Sequence, residues 1–109
     1  MKLVLLVILT LPLWAQKADG NAENGNRLFT TYGCYECHGR AAQGGAAGPR
    51  LGPKVIALPA FIGYVRHPGR AMPPYTAKVV SDVELTDIQA YIKTMPPPAK
   101  AEDTPLLKP

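Results

Sequence analysis

Two cysteines, Cys34 and Cys37, stand three residues apart with His38 directly after them, and the chain has no other cysteine. Thiols at that spacing lie about one helical turn apart. Cys-x-x-Cys-His is the pattern of covalent haem attachment: each thiol adds to one vinyl group, and the next residue brings its imidazole under the iron. Two other chemistries share part of the pattern. A thiol redox pair calls for a strand-then-helix setting, which the flanking residues do not offer. A zinc site needs more ligands than these neighbours and His67, the second of the two histidines. A structural disulfide is a poor fit, because a bridge across so short a loop hardly restricts the unfolded chain.

A second sulfur, Met72, sits in the run Gly69 to Ala77, where Pro73 and Pro74 remove two donors and keep the backbone extended. A soft thioether in a stiff, non-helical segment is pre-positioned as an axial ligand, and Met/His ligation raises a haem's reduction potential. Met95, by contrast, falls on a helical stripe and reads as core or helix-end packing. His67 is the other possible ligand, but its place in a turn before Pro68 reads as a surface histidine.

These residues need elements to hold them. From Ala22 to Tyr32 the pattern is helical, with Leu28, Phe29 and Tyr32 on one stripe and Gly25 four residues before Phe29. Gly33 ends this helix directly before Cys34. Gly39 to Leu58 holds Gly44, Gly45, Gly48, Pro49, Gly52 and Pro53, which reads as a long loop wrapped around something. A short helix is expected over Pro59 to Arg66, stopped by His67-Pro68-Gly69. The clearest helix starts at Ser81, where Ser81-Asp82-Val83-Glu84 is a capping box and Val80 can staple to Leu85. Leu85, Ile88, Tyr91, Ile92 and Met95 then share one face until Pro96-Pro97-Pro98 ends it.

The ends of the chain read differently. Met1-Lys2, the apolar run Leu3 to Leu13 and the small residue Ala15 form a secretory signal peptide over residues 1–15. The run is shorter than the roughly 20 residues that span a bilayer, and a leader that is retained would instead tether the domain to a membrane. Residues 16–21 read as a flexible lead-in, 22–95 as the domain and 96–109 as a disordered Pro-rich tail. Without the leader, 94 of the 109 residues remain, with all five Tyr, both Phe and no Trp. A core that thin needs a staple, and a buried haem supplies apolar bulk.

The net charge of +4 falls to +3 when Lys2 leaves with the leader. Between Glu36 and Asp82 there is no acidic residue, while Arg40, Arg50, Lys54, Arg66, Arg70 and Lys78 all lie there. No Lys/Arg-rich run of the nucleic-acid-binding kind is present. A one-signed rim around a cofactor would steer a partner with an acidic docking surface.

Taken in order, Gly25 and Phe29, Cys34-x-x-Cys37-His38-Gly39, Gly48-Pro49-Arg50-Leu51, Met72-Pro73-Pro74-Tyr75 and the Ile88 to Ile92 helix with Tyr91 resemble a class I c-type cytochrome over about Asn24 to Met95. The likeness is to short single-haem domains that serve as soluble bacterial carriers or as dehydrogenase subunits. It implies an all-α fold, three or four short helices and loops around one haem c bound through Cys34 and Cys37. It further implies His38 and Met72 as iron ligands and the Pro49 carbonyl as acceptor of the second His38 ring N–H. The Gly25 and Phe29 face should pack on Ile88 and Tyr91. Where such domains carry a Trp near a haem propionate, Tyr64, Arg66 or Arg70 would stand in here.

The function implied is single-electron transfer between redox proteins in an exported, periplasmic or secreted setting, with no catalytic residue. An electron-transfer subunit of an exported dehydrogenase or oxidase complex is the first alternative. A haem-based sensor or peroxidase-like protein is the second, and it requires Met72 to be off the iron or easily displaced.

Overall fold

Side-chain caps set the starts of the two longest helices, while glycine and proline mark the starts of the two short ones. The structure, a computed structural model, describes residues 19–107; the expected leader over residues 1–15 and the first part of the lead-in lie outside the described residues. Four α-helices follow: α1 (Ala22–Thr31), α2 (Cys34–His38), α3 (Leu58–Arg66) and α4 (Asp82–Lys93). Two single 3₁₀ turns, Ala101–Asp103 and Pro105–Leu107, come after them. Among the described residues there is no strand, so the chain is all-α as expected, and no helix is long and apolar enough to cross a membrane.

The pair α1 and α4 is the frame. The Asn21 side chain caps α1 by accepting from the Asn24 N–H at 3.0 Å. Asp87 of α4 holds that same end, accepting from the Asn21 backbone N–H at 2.7 Å and from Asn24 Nδ2 at 2.8 Å. Directly beneath, Gly25 lets the two helices touch backbone to backbone. A Cβ there would lie 1.9 Å from the Asp87 carbonyl oxygen and 2.9 Å from Tyr91 Cβ. One turn on, the Phe29 and Tyr91 rings meet in a tilted arrangement with centroids 5.5 Å apart.

The start of α4 is a full capping box. The Ser81 hydroxyl accepts from the Glu84 N–H at 3.2 Å, and Glu84 Oε2 accepts from the Ser81 N–H at 2.8 Å. The other Glu84 oxygen accepts from the Tyr32 hydroxyl at 2.8 Å, which ties the start of α4 to the end of α1. Val80 and Leu85, on either side of the cap, are both buried.

The core is small: Leu28, Phe29, Ala42, Phe61, Val65, Val80, Leu85, Ile88 and Ile92 are its buried apolar side chains. At about 1.5 to 3 kcal/mol per large side chain, that is little apolar burial against the ordering entropy of a domain of this length. The helix α3 begins at Leu58, one residue before the expected Pro59, and Pro59 occupies its first turn. Beyond α4, the Pro96 carbonyl accepts from Arg50 Nη1 at 3.3 Å, and Ala101, Glu102 and Asp103 in the first 3₁₀ turn are exposed.

Two outcomes follow from this frame. Gly25→Ala forces α1 and α4 apart and lowers unfolding stability by about 2 to 3 kcal/mol, read from the urea midpoint. The Glu84 carboxyl lies below its ordinary value of 4.5, chiefly because the Ser81 backbone N–H holds its ionised form and the Tyr32 hydroxyl adds to this. A group lowered on folding stabilises above its ordinary pKa and loses that contribution as the pH falls. Glu84→Gln therefore has the lower urea midpoint at pH 7, and the gap to wild type narrows as the pH drops below 4.5.

Candidate functional site

The short helix α2 carries Cys34, Cys37 and His38 and is set at an angle to α1 by one residue. Gly33 adopts φ +74°, a left-handed conformation that ends α1 and opens α2 with no side chain to strain. The Tyr35 carbonyl accepts from the Gly39 N–H at 2.9 Å, and Gly39, at φ +80°, closes the helix. Both thiols are free, Cys37 exposed and Cys34 half-buried. Burial pushes the Cys34 thiol up to about 11. A thiol-exchange nucleophile needs the opposite shift, so Cys34 is not placed to be one.

His38 is the most constrained of the three. Its ring is buried, at 8 % exposure, and Nδ1 lies 2.8 Å from the Pro49 carbonyl oxygen. The loop after α2 folds back to bring that carbonyl into place. The Gly44 N–H donates to the His38 carbonyl at 2.7 Å, Gly45 N–H to Gly48 O at 2.9 Å and Leu51 N–H to Ala42 O at 2.9 Å. Gly48 lies flat against the ring: a Cβ there would sit 3.1 Å from His38 Cε1, from Nδ1 and from the Cys37 carbonyl oxygen. With Nδ1 engaged, Nε2 is the nitrogen left to bind. Among the described residues no buried side-chain nitrogen or oxygen lacks a hydrogen-bond partner, which leaves Nε2 at the accessible edge of the ring.

The rest of the loop is pinned from α4. The Tyr91 hydroxyl donates to Arg40 O at 2.9 Å, and Gln89, buried, donates through Nε2 to Ile56 O at 2.7 Å. Leu51, Val55, Leu58, Ile62, Met72 and Tyr75 pack against the core but remain only half-buried. That partly covered apolar surface, two thiols in one helical turn and an imidazole oriented through Nδ1 fit a covalently held, flat, apolar macrocycle with a central metal. Among the described residues no three His, Cys, Asp or Glu side chains gather into a metal-binding group, which leaves a zinc centre without a ligand set. His67 caps the end of α3 with its side chain exposed.

Met72 is joined to this unit through Tyr75. The Tyr75 hydroxyl donates to Tyr32 O at 2.9 Å, two residues before Cys34, and its N–H donates to Val65 O at 3.1 Å. Burial raises the Tyr75 phenol above its ordinary 10.0, with negative charge at Cys34, Cys37 and Glu36 adding to the shift, so this ring stands close to the attachment helix. Arg66 donates through Nη1 to Tyr75 O at 2.9 Å and pairs through Nη2 with Asp82 at 2.6 Å. Its guanidinium thus bridges the Met72 segment and the start of α4. The sequence held a weak signal for Tyr75, in its place after two prolines, and none for the buried amide of Gln89.

A family model described as cytochrome C oxidase, cbb3-type, subunit III matches residues 20–92. Cytochrome c-555 of Methylococcus capsulatus is 30 % identical over 84 residues, covering 75 % of this chain and 68 % of that protein. No solved structure matches the chain. The family match begins one residue before the α1 cap, runs through both cysteines, His38, Pro49 and Met72, and ends in the last turn of α4, so the chain belongs to the c-type cytochromes, electron carriers built on a covalently bound c-type haem.

Proposed function

We propose that Cys34 and Cys37 hold the haem, that His38 Nε2 and Met72 Sδ are its axial ligands, and that the chain passes single electrons between redox proteins outside the cytoplasm. The observation that carries this is the clamp on His38: Nδ1 at 2.8 Å from Pro49 O, with Gly48 against the ring directly after the two thiols. When bound, the haem supplies an iron that cycles between ferrous and ferric states.

The protein's own groups do the rest. The Pro49 carbonyl fixes the His38 tautomer and ring plane, which leaves Nε2 as the ligand and raises its basicity. A thioether from Met72 would favour the reduced state of a bound haem and, together with His38, would leave no ligand position open to oxygen or peroxide, which supports a carrier rather than an enzyme. The half-buried apolar side chains keep water away and limit reorganisation as the charge changes. Arg40, Arg50, Lys54, Arg70 and Lys78 are exposed and no acidic residue lies among them in sequence, which supports docking to acidic partner surfaces. The leader over residues 1–15 would export the chain.

A second reading is favoured by the wording of the family description, which names an oxidase subunit. On it the same haem domain serves inside an exported oxidase or dehydrogenase complex. Size-exclusion of the full chain from its native host separates the two: a carrier elutes alone from the soluble fraction, a subunit elutes with its complex.

The test of the site is spectroscopic. Protein produced with haem-attachment machinery should keep a sharp reduced c-type spectrum after denaturing extraction. Its oxidised form should show the weak thioether-to-iron charge-transfer band, and Met72→Ala should lose that band and bind carbon monoxide rapidly when reduced. Haem that extracts with solvent would sink the attachment through Cys34 and Cys37. A band that survives Met72→Ala would sink the assignment of the sixth ligand.

A further inference from the structure

The segment that carries Met72 is stiff but short of helical support, and it is held at one residue from three directions. Tyr75 receives Arg66 Nη1 on its carbonyl at 2.9 Å, gives its N–H to Val65 O at 3.1 Å and gives its hydroxyl to Tyr32 O at 2.9 Å. Arg66 is itself locked by Asp82 at the start of α4, at 2.6 Å, and its side chain is only 14 % exposed. Pro73 and Pro74, between Met72 and Tyr75, have no N–H to anchor and little torsional freedom, so the position of Tyr75 is passed on to Met72.

We propose that Arg66 and Tyr75 are positioning residues for the sixth iron ligand, a latch through which α3, the end of α1 and the start of α4 together hold the Met72 segment closed. The proposal rests on the ligation by Met72 given above. A charged donor on a carbonyl is the strongest of the three hydrogen bonds, and the Asp82 carboxylate keeps it aimed. The guanidinium makes two separate contacts in a fixed fork, one to a carbonyl and one to a carboxylate, which a lysine cannot reproduce together. When the latch is weakened, the segment opens more often and an outside ligand competes with the thioether for the iron; the apparent affinity of that ligand reads the open fraction directly.

Imidazole binding to the ferric, haem-loaded protein is the measurement, followed at the thioether charge-transfer band, with melting temperature recorded for each variant. Arg66→Gln should tighten apparent imidazole binding about tenfold, the loss of one charged hydrogen bond. Tyr75→Phe, which removes only the hydroxyl contact, should tighten it about threefold to fivefold. Arg66→Lys should recover part of the change.

Two results overturn the latch and differ from each other. If the wild type shows the thioether band but Arg66→Gln lowers the melting temperature while imidazole affinity stays within twofold of wild type, Arg66 is merely structural and the ligation by Met72 stands. If the wild type has no such band, the ligation fails and the latch fails with it.

Discussion

A carbonyl oxygen that no side chain may approach governs much of this fold. The Asp87 carbonyl lies so close to Gly25 that a methyl group could not be placed between them. Because α1 and α4 touch there, Phe29 and Tyr91 are brought ring to ring, and the end of α1 is fixed relative to the middle of α4. From that end Gly33 turns the chain into α2. From the same helix the Tyr91 hydroxyl and the Gln89 amide reach Arg40 and Ile56, at the two ends of the loop that covers His38. The site therefore has no independent scaffold; it is suspended between the two ends of one helix pair.

Among the described residues the nine buried apolar side chains are few for a domain of this length, and most of them lie on α1, α3 and α4. Leu51, Val55, Leu58, Ile62, Met72 and Tyr75 form a second, half-covered layer. In a c-type cytochrome the haem is part of the packing as well as the redox centre, so burial that would otherwise need more large side chains is supplied by the cofactor. Polar anchors complete the arrangement: Glu84 joins Tyr32 to Ser81, and Arg66 joins Tyr75 to Asp82, each tying the start of α4 to a different part of the chain.

Much of this was readable in the residues. The capping box at Ser81, the helical stripe that carries Phe29 and the helix ending at Gly33 follow from local rules, because capping, periodicity and positive φ depend on a few neighbouring residues, whereas the packing of the Gly25 and Phe29 face on Tyr91 was implied by the family resemblance. The long loop was readable as a loop but not as a hydrogen-bonded one. Its internal bonds depend on Gly44 at φ +82° and Ala42 at φ +49°, and a buried alanine in that conformation has no compositional signal. The partner of Arg66 was hidden for the same reason: in sequence it is one of six basic residues in an acid-free stretch, and only the fold brings Asp82 to it. Contacts between residues far apart in the chain, such as Tyr75 with Tyr32, are set by topology, which composition does not encode.

The two halves of the proposed iron environment differ in how far the chain must travel to make them. His38 and Pro49 are separated by 11 positions, whereas Tyr75 and Tyr32 are separated by 43 and Asn21 and Asp87 by 66. Closing a short loop costs less entropy and happens sooner than bringing distant segments together. The thiols, the imidazole and its carbonyl partner thus lie within one stretch that can come together while the rest of the chain is still unfolded. By the same measure the methionine side, with its longer loops, closes later than the histidine side. Order of synthesis and order of ligation run the same way, so the covalent step does not have to wait for the fold, and the fold can close on a cofactor that is already there.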